Sequence, residues 1–146
     1  MLLSLTAWAQ KEQDFAARFM SLYGKGTTLT CTTVSPLMME RMLRLPSVED
    51  NEQMREVLKQ VKSIRLVSNT NTDESSALYE KALKLAKRNK ARYRLQAEED
   101  DKKLFARRRG TVVVEMVLLM KQNGHLSLVN LTGNMSEKFM EQLLKL

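Results

Sequence analysis

Along the last quarter of the chain the hydrophobic period changes from two to between three and four, and this change delimits two strands and a helix. Apolar side chains alternate from Val112 to Met120, stop at Asn123-Gly124, and alternate again from Leu126 to Leu131. Asn-Gly readily takes the two positive φ angles of a two-residue hairpin turn. That turn predicts a register with Gln122 opposite His125, Met120 opposite Ser127, Leu118 opposite Val129 and Met116 opposite Leu131. One hairpin face is then Val112, Val114, Met116, Leu118, Met120, Val129 and Leu131, the expected core. The other mixes Val113, Glu115, Val117, Leu119 and Lys121 with Leu126, Leu128, Asn130 and Thr132. Its polar interruptions suit partial cover or a partner, with Val117, Leu119, Leu126 and Leu128 as an apolar partner surface and Glu115 in solvent. After Gly133, the helical spacing of Met135, Phe139, Met140, Leu143 and Leu144 predicts a closing helix laid back on the core face.

The rest of the chain reads in the same way. Phe15, Phe19 and Leu22 form one stripe of a helix over Glu12–Tyr23, stopped by Gly24-Lys25-Gly26. Thr27–Val34 is β-branched and predicts a strand, and Ser35-Pro36 caps a helix carrying Leu37, Met38, Met42 and Leu43. A helix from about Asn51 buries Met54, Val57, Leu58 and Val61, with acidic residues at its start and lysines at its end, as the helix dipole favours. Ser63–Ser68 is a short strand, and Asn69–Asp73 is a polar loop expected to be mobile. Glu74–Lys90 is the longest helix, with Leu78, Ala82, Leu85 and Ala86 inward. Two strands meet at Asp100-Asp101, which sets Glu98 opposite Lys103 and Arg94 opposite Arg107.

The expected architecture is α+β: a mainly antiparallel sheet ending in a four-strand meander over Arg92–Thr132, with helices packed chiefly on one face. With 146 residues and no low-complexity run or internal repeat, one domain over 10–146 is the expectation. Met1–Ala9 reads as the remnant of a secretory signal, because Ala7-Trp8-Ala9 places small residues where a signal peptidase cuts, although a basic leader is missing. The rival is the apolar opening of the first helix.

Charge changes the picture more than composition does. The formal net charge is +7, and between Lys81 and Arg109 twelve Lys and Arg face four Asp and Glu, an excess of eight that leaves the remainder near neutral. Lys84, Arg88, Arg94, Arg107, Arg108 and Arg109 are therefore the candidate contacts for an anionic partner, an acidic protein or an anionic envelope surface. The alternative is a merely solvated basic face. Nucleic acid is disfavoured, since there is no phosphate-binding loop, zinc-finger spacing or aromatic RNA platform.

Catalytic and metal chemistry find few residues to use. His125 is the only histidine and follows a hairpin turn, and Cys31 is the only cysteine, expected to be a buried, inert thiol. No zinc set can be drawn from these, and the methionines at 38, 39 and 42 suit core filling better than copper. No catalytic residue, metal or cofactor is implied, and the expectation is a non-enzymatic binding or regulatory module. A hydrolase-like site of carboxylates and serine, assembled only in the fold, is the rival. It would show as a cleft joining Glu115 to a second titratable group. An intracellular nucleic-acid binder becomes the third reading if Met1–Ala9 is not a signal.

The segments Leu45-Pro46-Ser47-Val48-Glu49-Asp50-Asn51-Glu52-Gln53-Met54, Val57-Leu58-Lys59-Gln60-Val61-Lys62-Ser63-Ile64-Arg65 and Leu131-Thr132-Gly133-Asn134-Met135 resemble a family of exported proteins of Bacteroides-like bacteria. That family is catalogued as domain of unknown function 4252, and the likeness spans roughly Phe15 to Leu146. The resemblance implies export to the periplasm or cell envelope and an α+β domain, with some relatives encoded near sigma-factor regulators. It brings no catalytic residue to carry over.

Overall fold

A computed structural model describes residues 13–88 and 91–144 of the chain. The expected signal remnant Met1–Ala9 and the side chains of Met54, Val57, Leu143 and Leu144 lie outside the described residues. Among the described residues six strands form one sheet: β1 (Thr30–Val34), β2 (Val61–Ser68), β3 (Arg94–Glu99), β4 (Lys102–Arg109), β5 (Val112–Gln122) and β6 (His125–Met135). Their order is β1-β2-β6-β5-β4-β3 and every neighbouring pair is antiparallel, so β3 to β6 make the expected meander and β2 pairs with its far side. The described helices are α1 (Phe15–Tyr23), α2 (Pro36–Leu43), α3 (Pro46–Glu49), α4 (Glu52–Gln60), α5 (Thr72–Arg88) and α6 (Glu137–Leu144).

Local chemistry accounts for several boundaries. Asn123 and Gly124 have φ of 54° and 77°, the two positive angles of the hairpin turn, and β5 and β6 pair in the predicted register from Gln122↔His125 to Met116↔Leu131. Ser35 accepts a hydrogen bond from the Met38 N–H with Pro36 at the first position of α2. The polar loop after β2 is pinned rather than loose. Asn69 is buried, donates to the Asn71 carbonyl and the Ser75 hydroxyl, and accepts from the Leu126 N–H, while Thr28 Oγ1 accepts from the N–H groups of Thr70 and Asn71.

Helices cover both faces of the sheet, not chiefly one. Met116 lies 1% exposed in a core with Met39, Val48, Leu58, Phe139 and Met140, contributed by α2, α3, α4 and α6. On the opposite face Val117, Leu119, Leu126 and Leu128 are 0% exposed beneath Phe15, Phe19, Leu78, Ala82 and Leu85 of α1 and α5. These four were expected to form an apolar partner surface, and that expectation is corrected: the chain covers them itself. The stripes of α1 and α5 need an apolar floor, and alternate positions of β5 and β6 supply one despite the polar residues among them.

Bulges redirect single side chains. One between Val113 and Glu115 carries Val113 to the Met116 face, where it is buried, and leaves Val112 exposed. Another between Leu95 and Ala97 shifts β3 so that Arg94 opposes Ala106, which avoids the expected facing of Arg94 and Arg107. The Glu98↔Lys103 pairing is as predicted, with an ion pair at 3.6 Å.

Candidate functional site

Two groups of polar residues stand out from this frame, one sealed inside it and one at its rim. The sealed group centres on Glu115 of β5, which is 0% exposed where a solvated carboxylate was expected. Its Oε1 accepts from the Tyr93 hydroxyl at 3.0 Å and from Arg107 Nε at 2.9 Å. Its Oε2 accepts from the Phe15 N–H at 2.8 Å and from Asn130 Nδ2 at 3.0 Å. Asn130 Oδ1 in turn accepts from the Ala16 N–H, and Asp14 Oδ1 accepts from the Ala17 N–H. The first three N–H groups of α1, which have no partner inside a helix, are thus each bound by a different side chain. Asp14 also pairs with Arg65 of β2 at 2.8 Å, fastening the same helix end to a third strand.

Electrostatically this is a buried anion with all four acceptor positions taken. Burial first, and then the Glu115 charge, push the Tyr93 phenol far above its ordinary range, so it remains a donor. Glu115 has a second titratable group beside it, as the hydrolase reading requires, but the carboxylate has neither an open acceptor position nor access to solvent. The arrangement holds a helix in place and leaves nothing for a substrate. Tyr93, Asn130, Asp14 and Arg65 had not been singled out in the sequence, although Glu115 and Asn130 interrupting apolar strands were the available sign.

The second group is the basic one, and folding divides it. Lys84 and Arg88 are exposed on α5, over one face of the sheet, whereas Arg94 and Arg108 belong to the other. Arg107 is committed to Glu115. Arg108 is committed as well: its Nε and Nη2 donate to the two oxygens of Glu137 at 2.6 and 3.0 Å, and Nη2 also reaches Gln96 Oε1 at 2.9 Å. That contact holds the Glu137 carboxyl below its usual range and makes Arg108 more basic. Of the six expected anion contacts, Arg107 and Arg108 are therefore occupied by carboxylates of the chain, while Lys84, Arg88, Arg94 and Arg109 remain exposed.

A cleft of about 290 Å³ opens at this end of the sheet, lined by Ala91, Arg92, Arg94, Ala106, Arg108 and Gly110. Arg92 donates to the Gln13 carbonyl at 3.3 Å and lies over the Tyr93 ring, and Arg94 has no carboxylate partner among the described residues. The acidic run Glu98 to Asp101 sits at the other end of the β3–β4 hairpin, which separates it from the arginines by the length of the strands. Among the described residues no helix is long and apolar enough to cross a membrane, and no three His, Cys, Asp or Glu side chains converge as they would on a metal ion.

The family profile described as Domain of unknown function (DUF4252) matches residues 23–143, most of the chain, and the chain belongs to that family. No curated protein matches it.

Proposed function

Because membership of that family brings no assigned activity, we propose a function from the chain's own residues: a non-enzymatic, exported binding module that holds an anionic partner at the arginine end of the sheet. The single observation behind this reading is the cleft at β3, where Arg94 lies unpaired beside Arg92 and Arg108 while the neighbouring acidic run is a strand length away. Exposed Arg109 at the end of β4 extends the same positive rim. An anion entering there meets the Arg94 guanidinium, which can donate in pairs, with the positive charges of Arg92 and Arg108 beside it, and its binding weakens as salt rises. The small residues at 7 and 9 support export to the periplasm or envelope.

The test compares retention of the chain on vesicles of anionic and of neutral phospholipid, and on immobilised polyglutamate, at low salt. Arg94→Glu with Arg109→Glu is expected to abolish retention while the circular dichroism spectrum is preserved. Arg107 is left untouched, because its reversal would set a second carboxylate against buried Glu115. Retention that survives the double reversal discards the site. Cell fractionation with sequencing of the mature N-terminus tests export separately.

A further inference from the structure

Two strands end the sheet, and they are guarded differently. β3 carries Arg94, Glu98 and Glu99 and is kinked by the bulge between Leu95 and Ala97, features that deter pairing with another chain. β1 reads Thr30-Cys31-Thr32-Thr33-Val34, with no charge, no proline and an unbroken register from Thr30↔Ser68 to Val34↔Ile64. Among the described residues it is the terminal strand, so alternate N–H and C=O groups point away from the sheet. Large apolar side chains are exposed next to it. Leu66, directly opposite Thr32 in the register, is 45% exposed. Leu37 and Met38, at 56% and 48%, open α2, which follows β1 after Ser35 and packs on β2.

We propose that β1 is the pairing edge for a second copy of this chain, joined antiparallel about a two-fold axis at Thr32. The axis at the centre of the five-residue strand uses its whole length. Thr32 then faces Thr32 of the second copy, Cys31 faces Thr33, and Thr30 faces Val34. Every such pair is neutral and all but Cys31 are β-branched, the composition that favours cross-strand contact. A two-fold contact also requires a patch complementary to itself, which an uncharged strand of this kind is. The charge distribution permits it. The basic cleft lies at β3, five strand spacings from β1, or about 24 Å. In the pair the two clefts are about 50 Å apart, several screening lengths of about 8 Å. A five-residue ladder alone falls short of the roughly 600 Å² per partner at the low end of specific interfaces, so Leu37, Met38 and Leu66 complete the contact.

Sedimentation of the full-length chain over a concentration series is expected to show reversible doubling of mass. Thr32→Lys sets two ammonium groups against each other and should weaken association about tenfold or more, with the far-ultraviolet spectrum unchanged because Thr32 is exposed. Leu95→Lys, on the opposite edge, should leave association as it was. In a chain carrying Cys31→Ser and Thr32→Cys, mild oxidation should link two copies rapidly. The natural Cys31, offset by two residues from its counterpart, should link slowly. A single-chain mass at every concentration overturns the proposal. So does a dimer that ignores Thr32→Lys and fails to crosslink through position 32, or a β1 edge taken instead by the chain's own first twelve residues.

Discussion

Glu115 accepts the Phe15 N–H at 2.8 Å across one hundred positions of sequence, so the carboxylate in the middle of β5 shares the capping of α1 with its N-cap residue, Asp14. The contact helps explain how a charged residue sits at 0% exposure between Val113 and Val117, its desolvation offset by the groups around it. Helix end, guanidinium, phenol and amide together replace the water it has lost.

Replacing Glu115 by Gln keeps the shape, removes the charge facing Arg107 and turns an amide N–H₂ toward existing donors. Breaking one side of a buried pair costs about 3–5 kcal/mol, so the urea midpoint should fall by that equivalent with an unchanged slope. Amide exchange at Phe15 and Ala16 should speed up more than at Leu119. Equal acceleration throughout would argue against a cap.

Gly133 lies where β6 meets the bulge of β2, and a Cβ there would stand 2.1 Å from the Gln60 carbonyl oxygen and 3.0 Å from Val61 Cα. Both are backbone atoms and cannot swing aside. Gly133→Ala should destabilise by about 2–3 kcal/mol. Gly110, at φ 65° with open space around it, should lose only about 1–2 kcal/mol on the same change. Thermal melts of the two variants give the comparison.

Tyr93 makes the fold sensitive to alkali. Its folded pKa is raised, so the stability it contributes is complete below the ordinary value of 10.0 and is lost as pH climbs above that value toward the folded one. In Tyr93→Phe this part of the alkaline decline should disappear. At neutral pH the variant should be less stable by about 1–2 kcal/mol, because Glu115 loses a donor. Denaturant melts from pH 7 to 11 measure both effects.

Arg108 and Glu137 act in the opposite pH direction. The lowered folded pKa of Glu137 means that its contribution is present above the ordinary 4.5 and vanishes as pH falls through the lowered value. Wild type and Glu137→Gln should differ near neutrality and converge in acid. The difference is expected to be small and to shrink with salt, since the Glu137 side chain is 50% exposed.

What could be read ahead of the coordinates was local. The Asn123-Gly124 turn carried its own register, Ser35-Pro36 its own helix start, and Asp100-Asp101 the pairing of Glu98 with Lys103. The basic window was equally visible as composition, yet its residues were not separable there. Arg107 and Arg108 are neighbours in sequence and point to opposite faces by ordinary strand alternation, one to Glu115 and the other to Glu137, whereas the bulge beside them lies in β5 and turns Val113. One extra residue in a strand reverses which face the next side chain meets, and no local pattern marks where that happens.

The amino-acid order by itself determined the antiparallel meander, most of the helices and the place of the excess charge, because turns, caps and hydrophobic periods act over a few residues; the short helix Pro46–Glu49 and the start of β2 at Val61 were not legible there. Tertiary structure alone decided that Val117, Leu119, Leu126 and Leu128 are core, that Glu115 is a cap, and which arginines stay open to a partner. Each of those depends on what lies across the sheet. Alternation in β5 and β6 offers two apolar faces of similar quality, and only the arrival of α5 and of α1, the latter held by polar contacts a hundred residues away, settles how the second is covered.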